Sequence, residues 1–250
     1  MSAVESPLHT PQPAQKMIVA IDGPAGAGKS TIARHLARHF GLLNLETGAM
    51  YRAFALKALR AGIPLDELKD NDSSDLERLA AETQIRLEPG DEENRVLLDG
   101  EDVTGLIRNQ LVTDAASRVS VYPAIRSWLV RLQQEMGSGG GVVMEGRDIG
   151  TVVFPHAQVK IFLDAAPEVR GMRRFDQLGP QPAHPPEEVI RDLRARDERD
   201  RNRADSPLKA APDAVLLDST DMSLEEAVKA AEDIVSAKLA QTAAAAAPGA

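Results

Sequence analysis

The sequence predicts an α/β fold, a three-layer arrangement of a central parallel sheet with helices on both faces, carrying a small inserted unit. Three observations predict it. A short apolar run at residues 17–21 passes through the glycine-rich stretch 23–30 into a helix-patterned segment. Further apolar runs at 142–144, 159–163 and 214–217 repeat the strand signal between helical stretches. Residues 67–105 change character, turning acidic and alternating. Strands buried on both faces read as continuous apolar runs, and their alternation with helices marks a parallel sheet.

Taken in order, residues 1–16 are rich in proline and lack a basic start followed by an apolar stretch, so a disordered tail is expected rather than a signal peptide. MIVAI (Met17–Ile21) is the first predicted strand, and Lys29–Phe40 the first helix, with Gly41 placed to end it as the C′ residue. A second strand leads into a helix opening at Glu46-Thr-Gly-Ala-Met-Tyr51-Arg52. Within 67–105 the order is NDSSD, a helical stretch, then QIRLE and RVLLD around the turn-rich PGDEEN, which predicts a small antiparallel unit. It interrupts a core expected to comprise 17–66 and 106–240. Residues 173–203 hold the link GPQPAHPP and a helix dense in arginine and acid. The last strand, near Ala214–Leu217, precedes a helix that Ser223 caps with Glu226 at its third position. Residues 241–250 read as a second tail of biased composition.

Composition narrows the function classes. The 250-residue chain carries a formal charge of −9, which argues against a nucleic-acid coat or an anionic membrane as partner. Trp128 is the single tryptophan and aromatics total 3%, so no row of rings is available to stack bases along a strand. There is no cysteine, which excludes disulfides, thiolate zinc sites and cysteine nucleophiles and fits a reducing cytoplasm. No apolar run reaches the roughly 18–20 residues that span a bilayer. A cytoplasmic monomer acting on small anions is the expectation.

Gly23-Pro24-Ala25-Gly26-Ala27-Gly28-Lys29-Ser30, followed by Thr31, is a full G-x-x-x-x-G-K-[ST] phosphate loop. Its glycines let backbone wrap an anion, and N–H groups from Gly26 to Ser30 point inward at the positive end of the helix that begins there. Lys29 would bridge the β- and γ-phosphates of ATP, and the Ser30 hydroxyl would ligate Mg²⁺. The fixed positions coincide by chance in roughly 1% of chains this long, and a strand before and a helix after remove most of the reading as an idle turn. No N-K-x-D guanine motif is present, and the chain is too short for a motor or helicase. Small-molecule kinases remain, beside a non-catalytic nucleotide-binding module. Such a module has little reason to keep cations that act only in transfer.

Four further segments narrow the field: ETGAMYR at 46–52; DAAS at 114–117 with Arg126 following; EGRDIGTVVFP at 145–155; and RDERDRNR at 196–203. With GPAGAGKST, and in this order, they resemble the bacterial cytidylate kinases from about Met17 to Lys238. The resemblance implies a nucleoside monophosphate kinase fold of P-loop type, with a CORE, an NMP-binding unit at 67–105 and a LID within 173–203. It implies transfer of the ATP γ-phosphate, with Mg²⁺, to CMP or dCMP. Carried over by position, Ser117, Arg126 and Asp148 form the cytosine-reading set, and Arg196 and Asp200 hold the ribose. Arg52, Arg147 and Arg203 hold or flank the acceptor phosphate, and Thr47 lies near the acceptor. Lys29, Arg147, Arg196 and Arg203 are thereby the expected catalytic cations. Glu46 stands where the family more often has Asp, one methylene shorter.

The chemistry of the residues agrees. An Asp to accept from cytosine N4 and an Arg to donate to N3 or O2 is a matching pair. Phosphoryl transfer needs positioning and positive charge, which arginines supply because they stay charged and grip phosphate oxygens in pairs. Simpler readings exist for each segment. The six arginines of 191–203 lie among acids and could be a solvated helix laced with ion pairs, as Arg191 and Arg194 are expected to be. Arg147-Asp148 could be an ion-paired turn, though its place past a strand's C-terminal end favours function. Ser117 and Arg126 alone would be helix-surface residues. Tyr51 is expected to pack under the acceptor site, and Asp22 either to reach Mg²⁺ through water or to act structurally. His35 and His39 have the i,i+4 spacing of a helical metal pair, but no third ligand is evident in the sequence, so no metal is assigned there.

Overall fold

A computed structural model of the chain describes residues 16–65, 73–90, 93–177, 185–203 and 205–246, the side chains of 242, 243, 245 and 246 excepted. The N-terminal stretch expected as a tail, and most of the GPQPAHPP link, lie outside these residues. Five strands form one parallel sheet in the order β2-β6-β1-β7-β8: β1 (Ile18–Asp22), β2 (Leu43–Glu46), β6 (Val142–Gly146), β7 (Val159–Asp164) and β8 (Val215–Asp218). Burial follows position in the sheet. Interior strand β6 is buried throughout, whereas edge strand β8 leaves Val215 and Leu216 exposed.

Side-chain alternation along β1 divides the core between the two faces. Val19 and Ile21 point to one face, where Ile32, Ala33 and Leu36 of α1 (Lys29–Phe40) and Ala227, Ala231 and Val235 of α8 (Leu224–Ala246) cover them. Ala20 points to the other, with Val142, Met144, Ile149 and Val153. Gly41 takes the left-handed conformation that ends α1. The Ser223 capping box forms in both directions, Ser223 N–H donating to Glu226 Oε2 at 2.8 Å and Glu226 N–H to Ser223 Oγ at 3.2 Å. One expectation is corrected. The alanine-rich end, read as a tail from 241, continues α8 to Ala246, because a run of the strongest helix former extends a helix already nucleated by packing.

The acidic middle contains α3 (Ser74–Ala81) and an antiparallel sheet of β3 (Ile85–Glu88), β4 (Arg95–Leu98) and β5 (Glu101–Asp102). Asp99 and Gly100 turn β4 into β5 with positive φ at both residues, 51° and 89°, the hairpin geometry that Asp-Gly favours. The unit has no core of its own. Leu76, Ile85, Val96 and Leu98 bury into one cluster with Phe54 of α2 (Thr47–Arg60), Val112 of α4 (Gln110–Val119) and Ile125 of α5 (Pro123–Gly137). Two helices, α6 (Pro167–Gln177) and α7 (Pro186–Asn202), pack together, and Val189 and Leu193 of α7 close over Ala25 of the phosphate loop. No described helix is long and apolar enough to cross a membrane.

Candidate active site

The phosphate loop runs from the C-terminal end of β1 into α1, as the motif requires. At Gly23, φ is 150° and a Cβ would lie 1.9 Å from the Leu163 carbonyl oxygen, so only glycine lets the loop pass this close to β7. Lys29 is buried and donates from Nζ to the Pro24 carbonyl at 2.7 Å. Burial, then the nearby Arg147, pushes its ammonium down to about 7, while Glu145 and Asp22 oppose the shift. The Ser30 hydroxyl donates to Glu145 Oε1 at 2.6 Å. Thr31 is exposed on α1.

Glu145 sits near the C-terminal end of β6, and the turn after that strand carries Arg147 and Asp148. A five-residue π turn, Ile149–Val153, follows, and Asp22 holds its start by accepting from the Ile149 and Gly150 N–H groups, each at 2.7 Å. Burial pushes the Asp22 carboxyl up to about 6. Of the two roles expected for Asp22, the structure shows the structural one: it fixes the turn that presents Arg147 and Asp148.

Around that turn the arginines gather. Arg147 donates from Nε to Asp200 Oδ2 at 2.9 Å, and Arg203 approaches Asp200 Oδ1 at 3.6 Å. Arg52 pairs with Glu46, whose other oxygen lies 3.7 Å from Arg108. Burial, then Arg147, pushes Arg196 down to about 10, so cations crowd here without enough anions to balance them. Arg196 makes no hydrogen bond or ion pair among the described residues. Four arginine nitrogens, Arg52 Nε, Arg126 Nε, Arg196 Nε and Arg203 Nη2, are buried without a hydrogen-bond partner. Buried donors are rarely left so.

On the side towards α4, Arg126 of α5 pairs with Asp148 Oδ2 at 2.5 Å and donates to the Ser120 carbonyl at 3.2 Å. Its guanidinium lies 5.8 Å from the Tyr51 ring centroid, so Tyr51 does pack beneath this part of the cleft. Burial pushes the Tyr51 hydroxyl up to about 12. Ser117 is buried on α4, one turn before Ser120. The Thr47 hydroxyl is committed to the Glu145 carbonyl at 2.7 Å. Arg191 and Arg194 are exposed, as expected.

Three residues were missed by sequence reasoning. Glu145 was readable, as an acid at the end of an otherwise apolar strand. Arg170, 1% exposed, donates to the carbonyls of Ala165 and Ala25 at 2.7 and 2.9 Å and pairs with Asp197 Oδ2 at 2.6 Å. It joins the phosphate loop to α7. Arg174, half-buried, has no partner among the described residues, and burial, then Arg52, holds it below its ordinary value. Nothing in the spacing of α6 separated either arginine from its exposed neighbours.

The family model described as cytidylate kinase matches residues 19–237, from β1 to α8 and through every residue of this cleft. The chain belongs to the cytidylate kinase family. Among relatives, it is 48% identical over 228 residues to a cytidylate kinase of Solibacter usitatus, covering 90% of this chain and 94% of that one. To a cytidylate kinase of Pelotomaculum thermopropionicum it is 50% identical over 216 residues, covering 84% and 92%. Membership agrees with the architecture, in which the phosphate loop, the β6 turn and α7 converge at the carboxyl ends of parallel strands.

Proposed function

We propose that this cytidylate kinase family protein transfers the γ-phosphate of ATP to CMP or dCMP, giving CDP or dCDP, with the cleft between the phosphate loop, the β6 turn and α7 as its active site. The observation that carries the assignment is the set of four buried, partnerless arginine nitrogens, with Arg147 and Arg196 close enough to the phosphate-loop Lys29 to add to burial in lowering its pKa. Residues Gly23 to Thr31 hold the ATP phosphates, with Lys29 regaining its full charge against them. Arg52, Arg147, Arg196 and Arg203 hold the acceptor phosphate and the moving group in line, and Arg174 stands by as a further cation. No general base is needed, because a nucleoside monophosphate is already anionic at neutral pH.

The Arg126–Asp148 pair sets an acceptor beside a donor. Cytosine answers with N4 as donor and N3 as acceptor, whereas uracil would turn a carbonyl oxygen towards the carboxylate. Ser117 lies on the helix that anchors this pair, and Thr47 keeps the acceptor end of α2 against β6. Arg196 and Asp200 line the ribose side. The residues fit Mg²⁺: Ser30 and Glu145 converge as hard oxygen donors, and a bound ion would complete its shell with phosphate oxygens and neutralise their charge. The NMP-binding unit within 67–105 lines the acceptor site, and α7 belongs to the LID of 173–203.

The test is ATP-dependent turnover against CMP, dCMP, UMP and AMP in parallel. CMP and dCMP are expected to lead. Turnover of shikimate or dephospho-CoA without turnover of CMP overturns the assignment.

A further inference from the structure

The helices that cover one face of the sheet bring together three side chains the proposed reaction does not use. His35 and His39 lie one turn apart on the solvent side of α1, and Glu232 of α8, 197 residues beyond His35, reaches them. Glu232 Oε1 lies 2.6 Å from His35 Nε2 and 3.0 Å from His39 Nδ1. One oxygen thus faces a nitrogen of each ring, and all three donor atoms lie within 4.8 Å of one another. The sequence offered an i,i+4 pair and no third donor; the packing of α8 on α1 provides one.

We propose that His35, His39 and Glu232 form a binding site for a first-row transition-metal dication of the zinc class, separate from the nucleotide cleft. Two imidazoles with one carboxylate are a donor set that zinc accepts, leaving a fourth position for water, whereas Mg²⁺ prefers oxygen donors throughout. Bonds of about 2.0–2.1 Å in a tetrahedron separate the donors by roughly 3.4 Å. To admit an ion the carboxylate moves outward from its present 2.6 and 3.0 Å, and the two ring nitrogens, within 4.8 Å of each other, adjust to the same spacing. The two rings stack with centroids 6.1 Å apart and planes 25° from parallel, and Phe40 packs edge-on against His39 at 4.7 Å. Lys229, a cation beside Glu232, is itself held by Asp233 at 2.5 Å. His35 follows Lys29 by six residues, about 9 Å along the helix, so an ion here does not reach the transferred phosphate. Its effect is to clamp α8 onto α1.

The experiment uses the full chain, stripped with chelator, without nucleotide or Mg²⁺. Zinc uptake is measured by calorimetry and thermal unfolding is followed with and without zinc. One ion per chain is expected, with a rise in Tm. His39→Ala and Glu232→Gln should each weaken uptake by about ten-fold or more, at least the effect of losing an outer-shell partner. His156→Ala, outside the cluster, should leave it unchanged. His35 and His39 are 43% and 51% exposed, so their replacement should not unfold the chain, and unchanged unfolding of zinc-free variants checks this. Absence of stoichiometric uptake by the unsubstituted chain overturns the proposal. So does uptake that persists in the His35→Ala/His39→Ala double variant, which would place the ion elsewhere.

Discussion

Arg147, one residue beyond the end of β6, donates from Nε to the carboxylate of Asp200 in α7 at 2.9 Å. The contact joins the turn fixed by Asp22 to the helix that closes over the phosphate loop, so one ion pair sets the distance between two walls of the cleft. Burial alone would raise the Asp200 carboxyl, but Arg147, Arg203 and Arg196 together hold it below its ordinary range. Its stabilising contribution is therefore present above the unfolded carboxylate range and lost as pH falls through the lower folded value.

Replacing Arg147 should test that arrangement on the reaction. Arg147→Ala is expected to lower kcat by about 10²–10³-fold, the usual cost of removing one donor aimed at developing charge. Arg147→Lys should recover only part, since a point charge cannot both grip Asp200 and fork onto phosphate. Steady-state rates with CMP and ATP check this, and an Ala variant within a few-fold of the parent would remove Arg147 from the transfer step.

Base selection should follow Asp148. Asp148→Asn is expected to reduce kcat/KM for CMP by about 5- to 150-fold, the equivalent of roughly 1–3 kcal/mol for a buried polar contact, and to reduce UMP use far less. The KM for ATP should stay where it is. Equal losses for both acceptors would mean that the Arg126–Asp148 pair supports the cleft without reading the base.

Lys29 gives a pH prediction. Its ammonium titrates near 7 in the free protein and near 10.5 unfolded, so between those values the unfolded chain binds more protons and stability rises with pH. Polyphosphate favours the charged form, so ATP binding above pH 7 should take up a proton at this site. Calorimetry in two buffers of different ionisation enthalpy measures the uptake, and affinity should fall as pH rises through about 7. If Lys29→Met shows the same proton uptake as the parent, the proton belongs elsewhere.

Arg170 gives a stability prediction. Truncating it to Ala strands Asp197 as a buried charge and frees the Ala25 carbonyl, at a cost of about 3–5 kcal/mol. The double variant Arg170→Met/Asp197→Leu should regain much of that in denaturant unfolding, because neither charge is then left alone. Its KM for ATP should stay raised, since the loop has lost its tie. A single variant that unfolds like the parent would refute the account.

Much of the fold was legible because its signals are local. The apolar runs gave the parallel strands, and Gly41 and Ser223 marked helix ends. The C-terminal tail was misread because composition alone cannot show that Ala227, Ala231 and Val235 anchor a helix on which the alanines then propagate. Arg170 and Arg194 illustrate the same gap within one charge type. One is buried and bonded to the phosphate loop, the other exposed beside Glu168, and nothing adjacent in sequence distinguishes them.

By itself the sequence determined the phosphate loop, the strand and helix inventory and the residue types available for transfer, since each depends on neighbours within a few positions. Tertiary structure alone decided which charges meet: Ser30 with Glu145, Arg147 with Asp200, Arg126 with Asp148, and Glu232 with the two histidines. The physical reason is burial. An ion pair acquires its strength, and a lysine its lowered pKa, only when the packed sheet and helices remove water, and no local run of residues encodes which distant partner will share that dry space.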